Sequence, residues 1–197
     1  MRYYLIRRWN FPVSIDGTII DIETSNVNPE KGEIITFGYF TGNTIKIFQR
    51  TDPSERGRDI FNRFIRSALQ TLPRPFHAYN CSFEERWLGV RFSHDLMAKW
   101  REKSDKGKQK LKWPKVSELI SLSHSYYKLE VEATGKEIPG LWERYRKTGD
   151  RNLLFKIIYH NLYDLIREAC LILWDETTAD VYAELLKRGI SKKRFLE

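Results

Sequence analysis

Two periodicities divide the chain. From residue 18 to residue 50 the apolar positions come in short β-branched and aromatic runs bounded by turn residues. "TIIDI" (18–22), "EIITFGYF" (33–40) and "TIKIFQR" (44–50) read as strands. Asp16-Gly17 reads as a hairpin turn before the first strand, and "TGN" at 41–43 as the turn between the second and third. The front of the chain is thus expected to be a three-stranded antiparallel meander.

Beyond Gly57 the period lengthens. Ile60, Phe61, Phe64, Ile65, Ala68 and Leu69 recur at helical spacing over 57–72, and Pro73 and Pro75 stop that helix. "PFHAYN" (75–80) reads as a short strand. "SFEERWLGV" (82–90) reads as a helix with Ser82 and Glu85 forming a capping box. "VRFSHDLM" (90–97) is strand-like, and helices are expected over 114–123, 139–147, 151–173 and 176–188. Three antiparallel strands, then alternating helices and parallel strands, predict an α/β fold with a mixed central sheet flanked by helices.

Composition narrows the class. At 197 residues, 41% hydrophobic and 30% charged, the chain is expected to form one globular domain spanning 1–197. No run of 18 apolar residues is present, so no membrane helix is expected. The start, "MRYYLIRRWNF", lacks a signal peptide's apolar centre, and Cys81 and Cys170 lack metal or redox spacing. These features point to a cytoplasmic protein with reduced cysteines, and its Lys- and Glu-rich composition suits a thermophile. Lys and Arg number 34 against 26 Asp and Glu, a net charge of +8, which points to a polyanionic partner such as nucleic acid. Lys108, Lys110 and Lys112 lie in a basic stretch around 99–115 that reads either as a mobile substrate-holding arm or as a solvated loop.

Four acids stand out. Asp21 and Glu23 are two apart on a strand and so share a face. Two carboxylates interrupting an apolar strand either mark its end, facing water, or await a hard cation such as Mg²⁺ or Mn²⁺. Glu84 falls in the first turn of a helix, where it also suits the helix dipole. Asp164 lies about 40° around its helix from His160 and about 140° from Tyr159. His160 and Asp164 are therefore either a surface ion pair or two members of one site.

Taken in order, "IIDIET", "YNCSFEERWL" and "YHNLYDLIREACLIL" resemble the three motifs of the DEDD exonuclease superfamily, over about 17 to 174. "TGKEIPGLWERYRKTGD" resembles its bacterial and archaeal branch with a His-Asn-x-x-Asp third motif. The resemblance implies a ribonuclease H-like fold and 3′→5′ hydrolysis of single-stranded DNA or RNA with two divalent cations, Mg²⁺ or Mn²⁺. Asp21, Glu23 and Asp164 would hold one cation and Asp21 with Glu84 the other. His160 would be the general base, with Tyr159 as the alternative. Thr24, Asn80 and Phe83 match positions that frame the substrate. The pattern departs from the family in two places. Glu84 stands where Asp is usual, and Tyr159 and His160 exchange the identities usual at five and four residues before the last Asp. A structure-selective endonuclease and a non-catalytic nucleic-acid-binding module are the alternatives.

Overall fold

A computed structural model describes residues 3–98, 115–122, 133–176 and 190–192. In chain order the elements are β1 (Tyr4–Thr24), β2 (Ile34–Arg50), α1 (Glu55–Thr71), β3 (Phe76–Ala78), α2 (Cys81–Leu88) and β4 (His94–Asp95). They are followed by α3 (Val116–Leu119), β5 (Ile120–Leu122), α4 (Ile138–Thr148), α5 (Arg151–Glu176) and β6 (Ile190–Lys192). The main sheet has the order β2-β1-β3-β4, antiparallel between β1 and β2 and parallel thereafter. This is the mixed α/β architecture expected from the sequence.

The meander is built from two long, bent strands. Thr36 Oγ1 donates to Gln49 Oε1 at 2.6 Å, and Gln49 Nε2 donates to the Ile35 carbonyl at 3.1 Å. Thirteen residues of straight strand would separate these groups by roughly 40 Å. So β2 folds back on itself, and Gly42, at φ +54°, takes the turn. Its first half pairs with the end of β1, from Thr18↔Thr41 to Thr24↔Ile34.

Asp16-Gly17 does not make the expected hairpin. The register shifts between Ile15 and Thr18, and the preceding residues, from Tyr4↔Arg50 to Asn10↔Thr44, pair with the other half of β2. Gly17 does have positive φ, +69°, but its close neighbour is β3's approach: a Cβ there would collide with the Pro75 carbonyl, which accepts from Thr18 N at 2.9 Å. The turn chemistry was legible; the partner was not.

Other boundaries move too. Ser54 caps α1 by accepting from Gly57 N at 3.1 Å, so the helix starts at Glu55. Asn80 is the cap residue of α2, and Ser82 Oγ donates to Asn80 Oδ1 at 2.8 Å. The Ser82 capping box therefore does not form, and Glu85 Oε1 instead accepts from Phe92 N at 2.9 Å. Within 90–97 only His94 and Asp95 are strand. The helix expected over 114–123 is one turn, α3, and then becomes β5, which pairs with β6. The stretch 99–114 and most of 176–188 lie outside the described residues.

The sheet separates two cores. Ile20 and Ile22 pack with Phe37, Phe61, Ile65 and Leu69, on the α1 side. Ile19 packs with Ile158, Leu162, Leu165 and Ile166 of α5. Strand alternation therefore sends Asp21 and Glu23, which share Ile19's parity, toward α5. That helix spans 26 residues and is buried on most of its circumference, against β1, β2 and α4. Among the described residues no helix is long and apolar enough to cross a membrane.

Candidate active site

Three elements meet at the end of β1. The strand supplies Asp21 and Glu23, the first turn of α2 supplies Glu84, and α5 supplies His160, Asn161, Asp164 and Glu168. His160, Asp164 and Glu168 are spaced i, i+4, i+8 and line one face of α5.

Asn161 fastens the helix to the strand. Its Nδ2 donates to Asp21 Oδ2 at 2.6 Å and to the Asp21 carbonyl at 3.2 Å. The contact requires a glycine opposite: Gly38 pairs with Asp21, and a Cβ on Gly38 would collide with Asn161 Oδ1. His160 is 9% exposed, which overturns the surface ion-pair reading. Its Nε2 lies 3.5 Å from Asp164 Oδ2 and 3.8 Å from Glu23 Oε1, between the two carboxylates. Arg167 Nη1 donates to the other Asp164 oxygen, Oδ1, at 2.9 Å.

The remaining acids are buried more deeply. Glu84 is 5% exposed and Glu168 2%. Glu168 accepts a hydrogen bond from the backbone N–H of Tyr79. Among the described residues, Oε2 of both has no hydrogen-bond partner.

Such crowding suppresses ionisation. Burial drives the Asp21 carboxyl well above the usual carboxylate range, with further contributions from Glu23, Glu168, Asp164 and Glu84. Burial raises Glu23 to about 7 even though His160 opposes it. Burial raises Glu84 to about 8, and it raises Glu168 strongly, with Glu84 and Asp164 adding to the shift. The fold thus gathers carboxyl groups whose ionisation burial opposes, while Arg167 pairs with Asp164.

The donor set is one that a hard divalent cation takes: carboxylate oxygens, two of them buried and orphaned. Among the described residues no three such groups already stand as a coordination cage. The residues fit a hard divalent cation such as Mg²⁺ or Mn²⁺ by the chemistry of their oxygen donors. Beside His160 and Asp164 opens a cavity of about 560 Å³, with Lys115, Lys136, Arg167 and Tyr79 on its walls. Positive walls next to an acidic floor suit a substrate carrying phosphates.

The structure places the other sequence-predicted residues as follows. Tyr159 turns away from the acids and packs near Trp9 and Tyr163, with ring centroids 6.5 and 6.4 Å away. Thr24 is buried, and its Oγ1 donates to the Asn26 carbonyl at 2.7 Å. Asn80 lies at the β3–α2 junction. Phe83 packs against the α1-side core, 6.3 Å from the Trp87 ring. Lys108, Lys110 and Lys112 lie outside the described residues. Cys81 and Cys170 are buried free thiols. Sequence reasoning did not single out Asn161, Arg167 or Glu168. The signal for Glu168 was present, since it continues the His160–Asp164 spacing by one more turn.

Residues 18–174 match the model of the family RNase_H_2, described as RNase H superfamily. No curated protein and no solved structure matches the chain.

Proposed function

The chain belongs to the RNase H superfamily, and from that premise we propose that it is a divalent-cation-dependent 3′→5′ exonuclease of single-stranded nucleic acid, DNA before RNA. Family membership supports a nuclease-type hydrolase. One observation carries the finer reading. Asp21, Glu23, Glu84 and Asp164, from three motifs far apart in sequence, act electrostatically on one another, and Glu23 and Asp164 flank His160 beside a cavity lined by Lys115, Lys136 and Arg167.

In this reading Asp21, Glu23 and Asp164 hold one cation, and Asp21 with Glu84 the other. When bound, the cations acidify the attacking water and stabilise the leaving oxygen. Everything else falls to the side chains. His160 Nε2 takes the proton from the attacking water, with Glu23 and Asp164 favouring the imidazolium that results. Asn161 holds Asp21 Oδ2 and so fixes the direction of Oδ1. Arg167 orients Asp164 in the same way. Lys115 and Lys136 hold the phosphates of the strand from the cavity wall.

The test uses 5′-labelled and 3′-labelled single-stranded oligonucleotides, DNA and RNA, with Mg²⁺, Mn²⁺ or EDTA. A metal-dependent ladder shortening from the 3′ end is expected. Cuts in a circular single strand would replace the exonuclease by an endonuclease. Binding without cleavage in either metal, unchanged by Asp21→Ala, would remove catalysis.

A further inference from the structure

Glu168 sits where it should not be if α5 were only a packing helix. It is 2% exposed, on the face shared with His160 and Asp164. A carboxylate in that position is costly unless something answers it. One hydrogen bond does: the Tyr79 N–H, on the junction that leads into α2. Among the described residues Oε2 has no partner, and the acid that acts on Glu168 most strongly is Glu84, whose own Oε2 likewise has none there. Two buried carboxylates on α2 and α5 therefore each keep an oxygen with no partner among the described residues, and the Tyr79 hydrogen bond ties Glu168 to the segment that leads into α2.

The identity of residue 84 gives this meaning. Glu84 carries one methylene more than the Asp that the motif resemblance leads one to expect, and the longer arm lies within electrostatic reach of Glu168. We propose that Glu168 is a fifth carboxylate of the site, sharing one divalent cation with Glu84. This rests on the cation-dependent reading above. The Tyr79 hydrogen bond then keeps Glu168 in place, while Oε2 serves the cation.

The test is titration of the full-length protein with Mn²⁺ alone, followed by electron paramagnetic resonance, so that no cleavage is needed. Glu168→Gln keeps an acceptor for Tyr79 and removes the charge. It is expected to weaken one Mn²⁺ equivalent by about 10–100-fold, the range typical of groups that support a metal site. Glu84→Gln is expected to weaken the same equivalent. The double variant is expected to lose less than the two single losses combined, because the residues act as a unit. Near-UV circular dichroism checks that each variant is folded. Wild-type Mn²⁺ affinity in Glu168→Gln, with loss only in Glu168→Ala, would reduce Glu168 to an anchor for Tyr79 and overturn the proposal. Fully additive losses would overturn the sharing. A wild-type protein that takes up no Mn²⁺ would overturn the nuclease reading as well, so the two failures are distinguishable.

Discussion

Two acidic regions of this protein, one half-buried and one buried, are built on opposite principles. Beneath α4, Glu33 Oε1 accepts from Arg50 Nη2 at 2.7 Å and from Trp142 Nε1 at 2.9 Å. The Arg50 guanidinium lies over the Trp142 ring, 4.8 Å from its centre. Burial pushes the Glu33 carboxyl up, but Arg50 and Trp142 together hold it below its ordinary value. At the end of β1, by contrast, burial raises Glu23 to about 7 and Glu84 to about 8. A carboxylate whose role is structural is given its cation by the chain. In the proposed reading Glu23 and Glu84 are instead left to receive a divalent cation, and the fold carries the cost of their burial.

The contrast can be broken most severely at Asp21. Asp21→Asn is expected to reduce metal-dependent cleavage by about a thousandfold, the scale of losing a key electrostatic group. Thermal unfolding in EDTA is expected to show no loss of stability, since a crowded negative charge has gone. A large drop in Tm would make Asp21 structural, like Glu33.

His160→Asn is expected to cost about 10²–10⁴ in kcat, the range of a lost general base, with Tyr159→Phe near wild type. Single-turnover rates for the two variants check this, and the reverse order would move the base to Tyr159.

Arg50→Ala should show the opposite profile. Leaving the half-buried Glu33 without its cation is expected to cost about 1–3 kcal/mol in urea unfolding, less than for a fully buried pair because solvent screens it. Mn²⁺ affinity of the folded variant should not change.

The pH dependence of the metal-free protein sharpens the comparison most gently, because the two regions contribute slopes of opposite sign. Glu23 and Glu84 have folded-state values of about 7 and about 8, above the ordinary 4.5. The native state then binds more protons than the unfolded chain between those limits. Their contribution is fully present below about pH 4.5 and is lost as pH rises from there through 7 and 8. Glu33 is shifted down from 4.5, so its contribution is present above that value and is lost as pH falls below it. Urea unfolding across this range in EDTA should show both slopes, and saturating Mg²⁺ should remove the alkaline one.

How much of this was legible beforehand follows from how far each feature reaches along the chain. That Asp21 and Glu23 share a face needs only strand alternation, and that His160 and Asp164 share one needs only helical pitch. The break at Gly42 needs only a glycine between two apolar runs. Asp16-Gly17 shows where local rules stop: the positive φ is present, but the residues before it pair with the outer half of β2 rather than with β1's own continuation. The short α3 shows the same, since Ile120–Leu122 leaves the helix to pair with Ile190–Lys192, some seventy residues away. Ser82 lost its capping role to Asn80 because the chain arrives from β3 two residues earlier than its pattern suggested.

By itself, then, the sequence determined the alternation of elements, the faces that the acids occupy and the motif order from which the nuclease reading starts. These depend on backbone geometry within a few residues. The tertiary structure decided what those faces meet. It put Asn161 on Asp21 across 140 residues of chain, with Gly38 making the room, and it joined Glu168 to Tyr79 beside Glu84. It also decided that Glu33 and Asp164 lie against arginines, Arg50 and Arg167, while burial raises Glu23 and Glu84. Burial and pairing are properties of the packed whole, and a carboxylate's charge responds to them rather than to its neighbours in sequence.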